Sequence, residues 1–105
     1  MPDLAERFHG EMVGIYKRAL SERDYKATRF LAMVNERGGL RAAKDLLYAP
    51  GLSEGFVALW ERRRLDLTME ALILQEPWNS LFTKDELAIA RERLENLGYG
   101  RNQPR

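Results

Sequence analysis

The chain has 105 residues, no cysteine, 45% apolar and 31% charged residues, and a formal net charge of +1. This composition is typical of one globular domain. It excludes disulfides, thiolate catalysis and cysteine-bound zinc, and it lacks the cationic excess of most dedicated nucleic-acid-binding domains. No apolar run approaches the ~20 residues of a membrane span. The N-terminal MPDLAERF also lacks the apolar segment of a secretory signal, so we expect a cytoplasmic protein without membrane contact.

Apolar periodicity in the N-terminal half predicts three helices, over residues 3–21, 24–37 and 40–48. Apolar residues there recur at steps of three and four, beginning with Leu4, Phe8 and Met12, and no segment alternates as a strand does. Gly38 is suited to end the second helix, because glycine adopts a positive φ at little cost. Pro50 breaks the third.

Capping signals in the C-terminal half predict three further helix starts. The predicted N-caps are Ser53, Thr68 and Thr83. Glu86 follows Thr83 at the spacing of a full capping box. Gly98 followed by Tyr99 predicts a Schellman ending for the last helix.

Together these signals predict an all-α fold, a compact bundle of five or six short helices. We expect one domain over residues 1–99 and a frayed tail over residues 100–105. A helix-turn-helix-like centre is the alternative arrangement for the helices that flank Pro50. Two features weaken it: the connection between these helices is longer than usual, and the second helix begins with SEGF, which offers no Arg, Asn or Gln to base edges.

The sequence offers little for catalysis. His9 is the single histidine and lies beside the first apolar stripe, so we interpret it as a boundary residue and not as a ligand or base. Neither common glycine-rich phosphate motif is present. Glu92 and Glu95 alternate with Arg91 and Arg93, which is typical of a solvated helix surface. We therefore predict no enzymatic activity, no metal site and no cofactor.

Three consecutive arginines, Arg62–Arg64, permit three interpretations. In the first, they are the charged end of a helix, with Glu61 and Asp66 as local partners. In the second, they bind phosphates of a nucleic-acid backbone together with nearby basic residues. In the third, they bind acidic side chains of a protein partner. The segment over residues 17–44 carries eight basic and three acidic residues, which supports the second interpretation. The candidate binding residues for nucleic acid or an acidic partner are Arg41, Lys44, Arg62, Arg63 and Arg64.

The aromatic residues also permit two interpretations. Trp78 and Phe82 lie four residues apart and would share a face, which predicts that they close one end of the core. The alternative is an aromatic anchor for a protein partner at Trp78, with Tyr48 as a second interface residue, because aromatic residues are common at binding hot spots. Trp60 is expected on the same side of its helix as Phe56.

Three stretches, GGLRAAKDLL, GFVALWERRRLDLTMEALIL and LFTKDELAIARERLENLGY, resemble a group of small uncharacterised bacterial helical proteins. The resemblance covers residues from about 30 to 99. It implies a bacterial origin and a stand-alone or appended helical module, and it gives no information about activity.

The preferred hypothesis is a non-catalytic protein–protein interaction module, an accessory or regulatory subunit of a bacterial system. It depends on the near-neutral charge, the lack of catalytic residues and the candidate aromatic anchors. The alternative is a helix-turn-helix-like nucleic-acid-binding protein that contacts phosphates through Arg62–Arg64. Self-association and the identity of the partner are left open by the sequence.

Overall fold

Six α-helices and two 3-10 turns make up the secondary structure of residues 3–99, the part of the chain that the computed structural model describes. The helices are α1 (Leu4–Arg23), α2 (Thr28–Arg37), α3 (Gly39–Tyr48), α4 (Glu54–Glu61), α5 (Met69–Ile73) and α6 (Lys84–Asn96). The 3-10 turns lie at Leu65–Leu67 and Trp78–Leu81. Residues 3–99 contain no strand, so the prediction of an all-α bundle of five or six helices is confirmed. None of these helices has the length and apolar character needed to span a bilayer.

The helix caps follow the local sequence. The side chains of Ser53, Thr68 and Thr83 each accept a hydrogen bond from a backbone N–H in the first turn of the helix that follows. Glu86 completes the capping box with Thr83. At the end of α6, Gly98 has φ 87°, and the N–H of Tyr99 donates to the carbonyl of Leu94 at 3.0 Å, which is the predicted Schellman bond.

The second helix begins later than its apolar pattern predicts. Asp24 adopts the left-handed conformation (φ 54°, ψ 32°), and its N–H donates to carbonyls of the last turn of α1. Aspartate tolerates this conformation better than most residues. Asp24 therefore ends α1 instead of starting α2, which begins at Thr28.

The main core lies where α1 crosses α2 and α3 and where α5 and α6 close over them. α1 contributes Phe8, Met12 and Ile15 to it, and the turn over residues 78–81 closes one end. The packing does not form a helix-turn-helix. α3 contacts mainly α1, α2 and α6, whereas α4 contacts mainly the turn over residues 65–67. The tail predicted over residues 100–105 lies outside the described residues.

Candidate functional site

Arg64 is held by two carboxylates at the end of α4. Its guanidinium forms a bidentate ion pair with Asp66, with N–O distances of 2.9 and 3.0 Å. It also forms an ion pair with Glu22, near the end of α1, at 2.8 Å. These hydrogen bonds raise the pKa of Arg64, and the bond from Arg64 lowers the pKa of Asp66. Asp66 is a local partner that the sequence predicts. The connection to α1 is a tertiary contact that fixes the end of one helix to another.

Arg62 also packs against the end of α1. Its guanidinium lies over the ring of Tyr25, 4.8 Å from the centroid, and its side chain donates to the carbonyls of Arg23 and Ala58. These carbonyls belong to the C-terminal turns of α1 and α4, where a cation complements the helix dipole. Arg63, in contrast, is exposed, has φ 61°, and makes no ion pair with any residue of the described chain.

The two other basic residues predicted to bind a partner lie on α3 and pair with different carboxylates. Arg41 pairs with Asp45 at 3.3 Å. Lys44 pairs with the buried carboxylate of Glu86 at 2.6 Å and lies over the Phe82 ring, 5.0 Å from its centroid. Within residues 3–99, no hydrogen bond or ion-pair partner is shared between these two bases and Arg62–Arg64. The five predicted binding residues therefore do not share one set of partners. Arg62 and Arg64 contact the end of α1, Arg41 and Lys44 pair with different carboxylates, and Arg63 makes no ion pair in the described chain.

The two tryptophans lie in different environments, one in the core and one at the surface. Trp78 is 9% exposed and packs against Phe8, with ring centroids 5.9 Å apart. Its assignment to an interface is therefore wrong, and the core interpretation holds. Trp60 is 43% exposed. The buried side of α4 runs through Phe56, Leu59 and Ala58, which turns Trp60 outward. Phe56 and Trp60 are four residues apart, so the sequence pattern alone could not separate them.

Tyr48 and Leu52 are exposed close to the start of α4. Tyr48 is 64% exposed and its hydroxyl donates to Glu86 at 2.9 Å; Leu52 is 44% exposed. Every residue of the segment 48–52 is exposed. With Trp60, these residues are three of the four large apolar or aromatic side chains exposed in the described chain, the fourth being Leu20. Three of the four thus fall within one short stretch.

A cleft of about 410 Å³ opens between the first turns of α2 and α4. Its partly buried apolar lining comes from Phe30, Met33 and Leu46, and the exposed charged residues at its mouth are Lys26, Arg29 and Glu54. A narrow recess of about 30 Å³ continues from it into the core and reaches Glu70. Tyr25 and Gly55 line both parts. No sequence signal indicated this cleft, because its walls are distant in the chain.

Glu70 and Arg93 form a buried ion pair at 3.0 Å. Burial raises the pKa of Glu70, although the hydrogen bond from Arg93 acts to lower it. The same guanidinium also donates to three carbonyls at the end of α3, those of Leu46, Leu47 and Ala49. The prediction that Arg93 belongs to a solvated surface is therefore wrong. Its carbonyl and carboxylate partners give the pair a structural role that joins α3, α5 and α6.

His9 also has a structural partner. It is half-buried, and its Nδ1 accepts a hydrogen bond from the N–H of Gly39 at 2.9 Å, as suits a residue at the boundary of the core. In residues 3–99, no group of three or more His, Cys, Asp or Glu side chains is arranged to hold a metal ion. Comparison of the chain with family models, curated proteins and solved structures finds no match. The resemblance to bacterial helical proteins stays a prediction.

Proposed function

We propose that the protein is a non-catalytic protein–protein interaction module, an accessory or regulatory subunit of a bacterial system. The observation that carries the proposal is the cluster of exposed Tyr48, Leu52 and Trp60 within thirteen residues of the chain. Single exposed apolar residues are ordinary on protein surfaces. Tryptophan and tyrosine, however, are the residues most enriched among binding hot spots, and a solvent-facing tryptophan on a short helix has no use in the core.

The outer face of α4 is the centre of this surface. Val57 and Trp60 are three residues apart on α4, Val57 partly exposed and Trp60 exposed, so their side chains are neighbours on the helix surface. The exposed Leu52 directly precedes the N-cap of the same helix. A partner that covers Trp60 buries a large rigid side chain at low entropic cost, since tryptophan has few rotatable bonds.

The test is affinity capture with three forms of the protein: wild type, Trp60→Ser and Leu20→Ser. Leu20 is the matched control, because it is an exposed apolar residue outside the stretch over residues 48–60. We expect one protein to be retained by wild type and Leu20→Ser. A hot spot of at least ~2 kcal/mol predicts about thirtyfold weaker binding of the purified partner by Trp60→Ser.

Absence of any protein whose capture depends on Trp60, combined with a monomer by light scattering, would refute the proposal. A second copy of the chain as the captured partner would instead support it, with self-association as the interaction. Calorimetry with the purified partner and all three forms then separates a direct effect of Trp60 on binding from an effect on folding.

Nucleic-acid binding is the second candidate, and the exposed, unpaired Arg63 of the described chain is the observation in its favour. Against it, Arg62, Arg64, Arg41 and Lys44 already contact protein groups. Binding to duplex DNA would weaken with salt by a log–log slope of about −0.9 per phosphate neutralised. Replacing Arg62–Arg64 by alanine should flatten that slope. Identical slopes for both forms, or no binding at low salt, would dispose of this candidate.

A further inference from the structure

The cleft between α2 and α4 has the size and lining of a binding site. Its volume of about 410 Å³ lies within the ~300–1,000 Å³ range of ligand pockets. Phe30, Met33 and Leu46 line it while remaining partly exposed, so apolar surface there is still in contact with solvent. Covering this surface with another apolar group would be favourable, because removing apolar surface from water drives association.

The mouth of the cleft is predominantly cationic. Lys26 and Arg29 stand on the α2 side, and Glu54 on the α4 side is the acid that faces them. Arg29 and Glu54 are 4.0 Å apart and both well exposed, so the contact between them is weak. Arg62 adds a further cation next to the cleft, since its guanidinium covers the ring of Tyr25. Glu70, in the recess, is already matched by Arg93.

These features together select one kind of occupant. We infer that the cleft receives a large apolar side chain from a partner segment that carries acidic residues close to it in sequence. The apolar side chain enters between Phe30, Met33 and Leu46. The carboxylates of the partner contact Lys26 and Arg29 at the mouth, where Arg29 exchanges its weak contact with Glu54 for the partner. This inference rests on the proposed function, because it specifies the chemistry of a protein partner.

Gly55 provides the decisive variant. It lines the cleft, and a Cβ added there would meet no heavy atom within 4 Å. Leucine at this position occupies space that the partner needs, and it favours the helix relative to glycine. Gly10 is the matched control, since a Cβ there also meets nothing within 4 Å and Gly10 does not line the cleft. We expect Gly55→Leu and Gly10→Leu both to melt at or above the wild-type temperature.

The probe is a phage-displayed library of random 12-residue peptides, selected on wild type with soluble Gly55→Leu protein as the counter-target. We expect the selected peptides to carry a Trp, Phe, Leu, Ile or Met with two or more Asp or Glu nearby. Synthetic copies should bind Gly55→Leu at least tenfold more weakly by fluorescence anisotropy, and they should bind Gly10→Leu as they bind wild type. Failure to enrich any peptide, enrichment of neutral or basic peptides, or equal binding by Gly55→Leu overturns the inference.

Charge variants test the mouth independently of the cleft interior. Lys26→Gln with Arg29→Gln should weaken the peptides roughly tenfold and reduce their salt dependence, because exposed ion pairs are screened by salt. Glu54→Gln should act in the opposite direction and tighten binding several-fold, since it releases Arg29. Affinities unchanged in both variants would overturn the acidic character of the partner. A labelled single-stranded RNA of twelve nucleotides that binds wild type and not Gly55→Leu would overturn it in favour of nucleic acid.

The inference and the proposed function fail separately. In one outcome, peptide binding depends on Gly55 but no captured partner depends on Trp60. The cleft would then remain the binding site, and the proposed binding surface around Trp60 would be rejected. In the other outcome, a captured partner depends on Trp60 and binds Gly55→Leu as it binds wild type. The surface around Trp60 would then remain the binding site, and the role of the cleft would be rejected.

Discussion

The backbone N–H of Gly39 donates a 2.9 Å hydrogen bond to Nδ1 of His9 across the crossing of α1 and α3. At the same point a Cβ on Gly39 would lie 2.6 Å from the Cα of His9. The two helices thus meet backbone to backbone, and the imidazole satisfies the first N–H of α3, which has no partner within its own helix. The glycine and the histidine are two parts of one contact.

Replacing Gly39 by alanine is expected to destabilise the protein by about 1–3 kcal/mol, because the added methyl group meets backbone that cannot move aside easily. Gly10→Ala is the matched control. It lies inside α1 with open space around it, so it should stabilise the protein by about 0.5–1 kcal/mol. Urea unfolding of both variants measures the contrast. Equal stabilities would mean that the helices are free to separate at this crossing.

The acceptor at His9 can be tested by substitution. His9→Ala removes the partner of the buried Gly39 N–H and should cost about 1–3 kcal/mol. His9→Asn carries an oxygen near the position of Nδ1 and should recover part of that loss. Amide hydrogen exchange at Gly39 gives a local readout: exchange should accelerate in His9→Ala and slow again in His9→Asn. Unchanged exchange in His9→Ala would contradict the contact.

Replacing one member of the Glu70–Arg93 pair should destabilise the protein more than replacing both members. Arg93→Met leaves the buried carboxylate of Glu70 without its cation and three carbonyls at the end of α3 without their donor, so we expect a loss of about 3–5 kcal/mol. The double variant Glu70→Leu with Arg93→Met should be more stable than Arg93→Met alone. Chemical denaturation of the cycle measures this coupling. Additive losses would show that the two side chains act independently.

Glu86 gives the protein a specific pH dependence. Burial raises the pKa of Glu86, but hydrogen bonds from Lys44, the Thr83 N–H and Tyr48 outweigh burial and lower this pKa to about 2. A folded-state pKa below the unfolded value stabilises the folded protein above the unfolded pKa, and this contribution is lost as pH falls. The stability difference between wild type and Glu86→Gln should therefore be largest above about pH 5 and shrink towards pH 2.

Urea unfolding at several pH values measures that difference directly. Comparison with Glu86→Gln is needed because Glu70 has the opposite sign: its raised pKa favours the folded state as pH falls. A difference that stays constant between pH 7 and pH 2 would mean that Glu86 is not held ionised by its partners.

The two tryptophans should differ in both stability and accessibility. Trp78→Ala opens a cavity beside Phe8 and should cost about 3–5 kcal/mol, whereas Trp60→Ala should change stability by less than about 1 kcal/mol. In single-tryptophan forms, acrylamide should quench the fluorescence of Trp60 strongly and that of Trp78 weakly. Similar quenching of both would contradict their placement.

The sequence by itself determined where most helices start and stop. Ser53, Thr68 and Thr83 cap helices as predicted, and Gly98 ends the last helix as predicted. These features are predictable because each hydrogen bond joins residues at most a few positions apart. Asp24 is the exception. The apolar pattern of the second helix permits a start at Asp24, but Asp24 adopts the left-handed conformation and ends α1, so α2 begins at Thr28.

Only the tertiary structure decided which charged and aromatic residues remain available for binding. Arg93 finds partners 23 to 47 positions away, and Arg64 reaches Glu22 on another helix. The cleft joins the first turns of α2 and α4 in the same way. The periodicity of a helix limits a residue to a broad face, about 100° wide. A rotation of α4 within that limit buries Ala58 and exposes Trp60, and the packing of neighbouring helices sets that rotation.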